Sequence, residues 1–250
     1  MLWYNKSMKI ESPENTKVKM WEKLKQKKYR DEYGLFIVQG AHMVEEAMKG
    51  GFIDTLLVRD GVENRFPSDC VYVSDKVMKK LSENTSLNDY LAICNIPENK
   101  NITGKRFIVL ENVQDPGNVG TIIRTAYSFG YDAVFLNEGC ASLYNSKTIQ
   151  SSQGSIFHMP VITMPVQDIF DYLNRKGIRK YVTFLHTDTY LSKVKPCEKY
   201  ALVFGNEGKG VSQYVLDNSD ETFKIEMDRF ESLNVASAMS ICAYYFRYNS

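Results

Sequence analysis

The chain has no run of eighteen or more apolar residues, no CxxC pair and neither of the common phosphate-binding fingerprints. The first absence argues against a transmembrane helix. The opening MLWYNKSMKIESPEN lacks the apolar core of a signal peptide, so a soluble cytoplasmic protein with no membrane association is expected. The five cysteines (Cys70, Cys94, Cys140, Cys197 and Cys242) are odd in number and widely scattered. That pattern points to reduced thiols, against a disulfide framework and against a zinc site, and no metal is expected. GxGxxG is missing, because the loop that could carry it holds only Gly117 and Gly120, and GxxxxGK[ST] fails at Gly205 to Ser212. Both gaps disfavour a nucleotide-dependent oxidoreductase or a P-loop enzyme.

What is present suffices for a proper core: 250 residues, 44% apolar, in one large domain or two small ones. The net charge of +1 conceals an asymmetry. Residues 1–30 hold nine Lys or Arg against three Glu, a surplus of six that leaves a net of −5 for the rest. Lys17 to Arg30 reads as one helix, with Val18, Trp21 and Leu24 as an apolar stripe and lysines around it. Such a face suits a phosphate backbone, and it equally describes a solvated surface helix.

Ile96 to Lys105 reads as a linker. Before it, Leu35–Val38, Thr55–Val58 and Val71–Val73 are expected strands, and His42–Lys49 and Asp75–Leu81 expected helices, giving a small α/β unit. After it, strands are expected at Phe107–Leu110, Ala133–Leu136, Val161–Met164, Tyr181–Leu185, Ala201–Phe204 and Phe223–Met227. Asp115 to Asn118 reads as a turn, followed by a helix that buries Val119, Ile122, Ile123 and Tyr127 and ends at Gly130. Further helices are expected near Val166–Lys176, Val211–Asp217 and Ser232–Tyr248, the last with a side of small residues: Ala236, Ser237, Ser240 and Ala243. Alternating strands and helices imply a mostly parallel sheet covered on both faces.

Three loops of this sheet carry the chemistry. The stretch Gly205-Asn206-Glu207-Gly208-Lys209-Gly210 directly follows an apolar strand. Its glycines allow either close approach of backbone amides to a ligand or a tight turn with positive φ. Arg124 offers a planar fork of donors for a phosphate or carboxylate, or is an exposed or ion-paired surface residue. Ser232 and Asn234 precede the last helix and could cap it.

NVQDPGNVGTIIRTAYSFG (residues 112–130), LVFGNEGKGVS (202–212) and KIEMDRFESLNVASAM (224–239) resemble, in order and spacing, the three motifs of the SpoU or TrmH family of S-adenosylmethionine-dependent RNA 2′-O-ribose methyltransferases. The similarity spans about residues 105–250. It implies an α/β trefoil-knotted (SPOUT) domain with a mostly parallel sheet that works as a homodimer, the small-residue side of the last helix being the candidate contact. Residues 1–100 are similar, more weakly, to the family's L30e-like RNA-binding domain, through YGLFIVQG (33–40) and Glu45-Glu46-Ala47. Carried onto this chain, the resemblance implies a methyl-donor pocket lined by Phe204, Gly205, Ile225, Met227 and Leu233. It makes Asn118, Arg124, Glu207, Ser232 and Asn234 the polar site residues. Lys23, Lys27, Lys28 and Arg30 become the candidate RNA contacts. The chain departs from the family at Glu226, where relatives usually have proline. The implied activity is methyl transfer to ribosomal RNA, with transfer RNA, or an inactive RNA-binding assembly factor on the same scaffold, as alternatives.

Overall fold

The computed structural model describes residues 9–83, 87–97, 102–229 and 232–249. Residues 98–101 of the expected linker, Lys6 of the basic N-terminal stretch, and Phe230 and Glu231 of the third motif lie outside them. The described residues divide into two compact units, one within Met1–Asn99 plus Tyr144–Gln150 and one within Lys100–Leu143 plus Ser151–Ser250. Among them no helix is long and apolar enough to cross a membrane.

The first unit runs β1 (Lys9–Ile10), α1 (Thr16–Lys23), α2 (Lys27–Tyr33), β2 (Leu35–Gln39), α3 (Ala41–Lys49), β3 (Ile53–Arg59), β4 (Cys70–Val73), α4 (Asp75–Leu81) and β5 (Tyr90–Asn95). The strands form one sheet in the order β1-β4-β3-β5-β2. β5 pairs antiparallel with both β2 and β3, whereas β3, β4 and β1 run parallel. Val18, Trp21 and Leu24 join Val77, Met78 and Leu81 of α4 against Leu57, Leu91 and Ile93 of the sheet. The expected stripe therefore faces the core, as the spacing requires.

The expected single helix from Lys17 to Arg30 is two. α1 ends at Lys23, and α2 starts after Gln26, whose backbone is extended. The break is filled by Arg30, only 4% exposed, whose Nη1 donates to the carbonyls of Leu24 and Lys25, 3.0 Å each. A cation thus satisfies carbonyls left open at a helix end. The Lys25 amine does the same for the Lys80 and Ser82 carbonyls.

The second unit contains β6 (Arg106–Leu110), α5 (Pro116–Ser128), β7 (Ala133–Leu136), β8 (Val161–Thr163), α7 (Val166–Arg175), β9 (Arg179–Thr183), β10 (Tyr200–Phe204), α8 (Gln213–Asp217), β11 (Glu221–Phe223) and α9 (Val235–Asn249); α6 (Ser146–Ser152), between β7 and β8 in the chain, belongs to the first unit as far as Gln150. Its six strands lie in the order β11-β9-β10-β6-β7-β8, every pair parallel. Alternate residues face opposite sides of such a sheet. Phe107, Val109, Phe135, Val182, Ala201 and Val203 pack on one side with Ile169, Phe170 and Leu173 of α7. Tyr181, Tyr200 and Phe223 meet Phe246 of α9, with ring centroids 4.8–5.6 Å apart.

Several expectations shift. Asp115 to Asn118 is not a free turn: Asp115 caps α5 by accepting from the Asn118 N–H, and Pro116 occupies the first turn, where its missing N–H costs nothing. The buried face of α5 is Val119, Ile122, Ile123 and Ala126. Tyr127 lies beside it, 48% exposed, its ring stacked on His158. β9 begins two residues earlier than its apolar run because Lys180, though charged, is buried against Asp220 (2.7 Å) and Asn174 (2.8 Å). β11 spans Glu221–Phe223 rather than Phe223–Met227, because its pairing with β9 ends at Thr183 and beyond it only Lys224 bridges, to Tyr190. On α9 the small residues Ala236 and Ala243 are already buried within the chain. Ser237 on the same side is exposed and Ser240 half-buried, so that side is only partly covered by the chain itself, and Ile241, Tyr244 and Tyr248 are exposed as well.

Candidate active site

The C-terminal ends of β9, β10 and β11, with the loops that follow them, and the start of α9 surround a cavity of about 230 Å³. Open parallel sheets bind ligands beyond the carboxyl ends of their strands. Phe204, Gly205, Ile225, Met227 and Leu233 all line it, as does Ser232. Thr183, Leu185, His186, Lys209, Val211 and Ala238 line it too and were not anticipated. The signal available for the first three was their position just past the end of a buried strand neighbouring the glycine-rich loop.

That loop is a rigid hairpin. Asn206 and Gly210 exchange both backbone hydrogen bonds, at 3.0 and 2.9 Å, and Gly210 has φ +68°. The Asn206 side chain folds over the turn and accepts from the N–H groups of Gly208 and Lys209. A Cβ on Gly205 would sit 2.3 Å from the Gly210 carbonyl carbon and 2.5 Å from the Val211 nitrogen, so no side chain fits there. The tight-turn reading of the glycines is borne out, and the turn brings bare backbone to the cavity wall.

Two consecutive residues at the end of β6 grip the loop at both ends. The Asn206 Nδ2 donates to the Asn112 carbonyl (3.0 Å). At the far end, Glu111, 2% exposed, accepts from the Ser212 N–H (2.7 Å) and hydroxyl (2.6 Å). Asn112 itself sits at φ +58°. It is held there by reciprocal bonds with Asn137, at 2.8 and 3.0 Å.

The three motifs converge through an oriented chain of side chains. Asn118 donates through Nδ2 to Glu207 Oε1 (2.7 Å), and Asn234 donates to Asn118 Oδ1 (3.0 Å). Asn234 Oδ1 accepts from the N–H groups of Ala236 and Ser237 and so caps α9. The polarity is fixed at both ends, because a carboxylate can only accept and a helix N-terminus can only donate. Arg124 stands apart. Six residues beyond Asn118, about 9 Å along α5, it is exposed, and its guanidinium has no partner among the described residues.

Glu226, where the family has proline, does not line the cavity. Its carboxylate accepts from the Ser192 N–H (3.0 Å), at the short 3-10 turn Leu191–Lys193. Burial alone would raise its pKa. The Ser192 hydrogen bonds and nearby Lys193 outweigh that and hold it below the ordinary glutamate value.

Of the candidate RNA contacts in the first unit, Lys23, Lys27 and Lys28 are exposed. Arg30 is not a surface residue: its guanidinium is consumed by the Leu24 and Lys25 carbonyls and is unavailable to a phosphate.

The SpoU rRNA Methylase family pattern matches residues 105–244, and that of the MRM3-like substrate binding domain residues 15–92. Over 246 residues, 95% of this chain and 98% of the relative, the sequence is 39% identical to the 23S rRNA (guanosine(2553)-2'-O)-methyltransferase RlmP of Bacillus subtilis. A TrmH-family structure from Porphyromonas gingivalis, 30% identical, superposes with a TM-score of 0.83 over 93% of this chain and 97% of that one. AviRb from Streptomyces viridochromogenes, solved with AdoMet and 23% identical, shares the fold with a TM-score of 0.86 over 93% and 97% of the two chains.

Proposed function

The chain belongs to the SpoU rRNA methylase family, and on that premise we propose that it transfers a methyl group from S-adenosylmethionine to a ribose 2′-hydroxyl of large-subunit (23S-type) ribosomal RNA. The observation that carries this reading is the Asn234–Asn118–Glu207 chain beside the glycine-walled cavity. The cavity suits the donor. Phe204, Ile225, Met227 and Leu233 offer apolar walls for a purine, and the Gly205–Gly210 backbone offers amides that no Cβ obstructs. When bound there, the donor supplies an electrophilic methyl on a sulfonium.

The chain's own residues then align and activate the hydroxyl. Holding two reactants in line accounts for about 7–11 kcal/mol of a barrier. Arg124, exposed and unpaired, clamps the phosphate beside the target ribose with its planar fork. A guanidinium with pKa above about 12 is not a base, so it stabilises charge developing on the ribose oxygen rather than removing the proton. Glu207 receives that proton: one carboxylate oxygen is fixed by Asn118 and the other has no partner among the described residues. Asn118 and Asn234 orient it, and Ser232 offers a hydroxyl at the cavity rim.

In the first unit, Lys23, Lys27 and Lys28 contact the RNA backbone. Two copies associate through the exposed face of α9, supported by Ile241 (42% exposed), Tyr244 (60%) and Tyr248 (65%). The compartment is the cytoplasm, consistent with all five cysteines remaining free thiols.

The test is transfer of radiolabelled methyl to 23S rRNA and to tRNA transcribed without modification, followed by alkaline hydrolysis. Label in an alkali-resistant dinucleotide from 23S rRNA is expected, and Arg124→Ala should abolish it while donor binding persists. Label in tRNA alone would overturn the substrate, and substantial turnover by Arg124→Ala would overturn the clamp.

A further inference from the structure

The basic stretch at the start of the first unit is less uniformly available than its sequence suggests. Lys25 and Arg30 are spent on backbone carbonyls, and Lys27 is ion-paired with Asp31 at 2.6 Å. Lys23 and Lys28 are exposed, and neither has an ion-pair partner among the described residues. Both amines converge on one aromatic ring: Lys23 Nζ lies 5.2 Å and Lys28 Nζ 5.6 Å from the ring centroid of Tyr29. Tyr29 is half-buried at the start of α2 and is braced by Tyr33, its ring stacked at 6.0 Å and 22°. Both are solvent-exposed cation–π contacts of the weak class, which a stacking base can displace from the ring while the freed ammonium groups turn to its phosphates. A braced ring with two displaceable cations meets both requirements of a single-stranded RNA site: a π-face on which a base stacks, and charges that take the phosphates on either side of it. A duplex offers only phosphates and 2′-hydroxyls there, because its bases are already stacked.

We propose that Tyr29, flanked by Lys23 and Lys28, is a stacking platform for an unpaired base of the RNA substrate. This rests on the RNA-methyltransferase reading above and adds to it that the recognised segment is single-stranded.

The platform is tested by binding of full-length protein to unmodified 23S rRNA transcript, to a single-stranded oligouridylate and to an RNA duplex, each over a range of salt. Tyr29→Leu keeps the packing bulk and removes the π-face; Tyr29→Phe keeps both. Tyr29→Leu should weaken oligouridylate and transcript binding about 5- to 150-fold, the range base stacking spans, with an unchanged salt slope. Tyr29→Phe should stay within about twofold of wild type, and duplex binding should be insensitive to both. Lys23→Ala and Lys28→Ala should each reduce the salt slope by about 0.7, the value for one phosphate of a single strand. Oligouridylate affinity unchanged in Tyr29→Leu, or lost equally in Tyr29→Phe, would overturn the platform while leaving the methyltransferase reading intact. Wild-type protein that neither binds nor methylates the transcript would instead remove the parent reading, and the platform with it.

Discussion

Replacing Glu111 with Gln removes one negative charge and almost no volume, at the residue that fastens the glycine-rich loop of the cavity to the end of β6. Both carboxylate oxygens are engaged by Ser212, through its N–H and its hydroxyl, and Ser212 in turn caps α8 by accepting from the Val215 N–H. A carboxamide has one acceptor oxygen. The Gln oxygen can still accept from the Ser212 N–H and its NH2 can donate to the Ser212 hydroxyl oxygen, which also accepts from the Val215 N–H, but the hydroxyl's own proton is then left without the carboxylate acceptor. One hydrogen bond to a charged acceptor is lost, worth about 1.5–3 kcal/mol. For a unit of this size, that lowers the melting midpoint by about 3–12 °C, at 2–4 °C per kcal/mol. If the whole loss falls on the loop's local equilibrium rather than on global unfolding, the donor dissociation constant rises by up to about 10- to 150-fold, because only the gripped loop presents its backbone correctly. Melting by circular dichroism and titration calorimetry with S-adenosylmethionine measure the two effects separately. Ser212→Ala keeps the backbone bond to Glu111 but removes both the hydroxyl's bond to that carboxylate and the cap of α8, so it should lower the midpoint at least as far. A Glu111→Gln protein with both midpoint and donor affinity unchanged would refute the view that this carboxylate positions the loop.

Gly205→Ala should be more severe, since its Cβ meets Gly210 backbone at 2.3 Å rather than a movable side chain; calorimetry should detect no donor binding, and near-native affinity would mean the hairpin can open. Glu226→Gln should leave donor affinity within about twofold and destabilise the fold slightly at neutral pH, because the residue caps a turn outside the cavity. The Glu226 pKa is lowered in the folded state, so its contribution is present above the ordinary value of 4.5 and lost as pH falls through the lower folded value. The stability gap between wild type and variant should therefore close on acidification, and a gap that widens would contradict the assignment. Ile241→Asp with Tyr244→Asp should yield a monomer in sedimentation at micromolar concentration, and an unchanged dimer would place the contact elsewhere.

The buried parallel strands were legible because residues covered on both faces form continuous apolar runs, as in Phe107–Leu110 and Ala133–Leu136. The five residues that the resemblance assigns to a donor pocket were named through their motifs, and all five line one cavity. The misreadings share a cause, in that single residues were assigned by type where partners decide. Arg30 reads as a surface cation until the helix break shows it carbonyls to satisfy. Lys180 interrupts an apolar run yet sits in β9, because Asp220 and Asn174 meet it. Tyr90–Asn95, buried through most of its length, was not anticipated as a strand. Ile225 and Met227 look like strand continuation, and only the end of β9 at Thr183 shows that the ladder stops before them. Glu111, which organises the site as much as any motif residue, carries no signal in its own position; its partner lies 101 residues away.

That separation bears on the order in which the protein acquires its parts during synthesis. The strands β1 to β5 are complete once Asn95 has emerged, so the first sheet can pair while the chain is still growing. In the second unit, Arg106 must wait for Tyr200 before β6 and β10 can meet. Asn118 waits longer, for Asn234. Closing loops of that length is slow relative to local pairing. A nascent chain thus completes its first sheet, with the lysine-bearing helices packed on it, well before the three loops of the second sheet can come together.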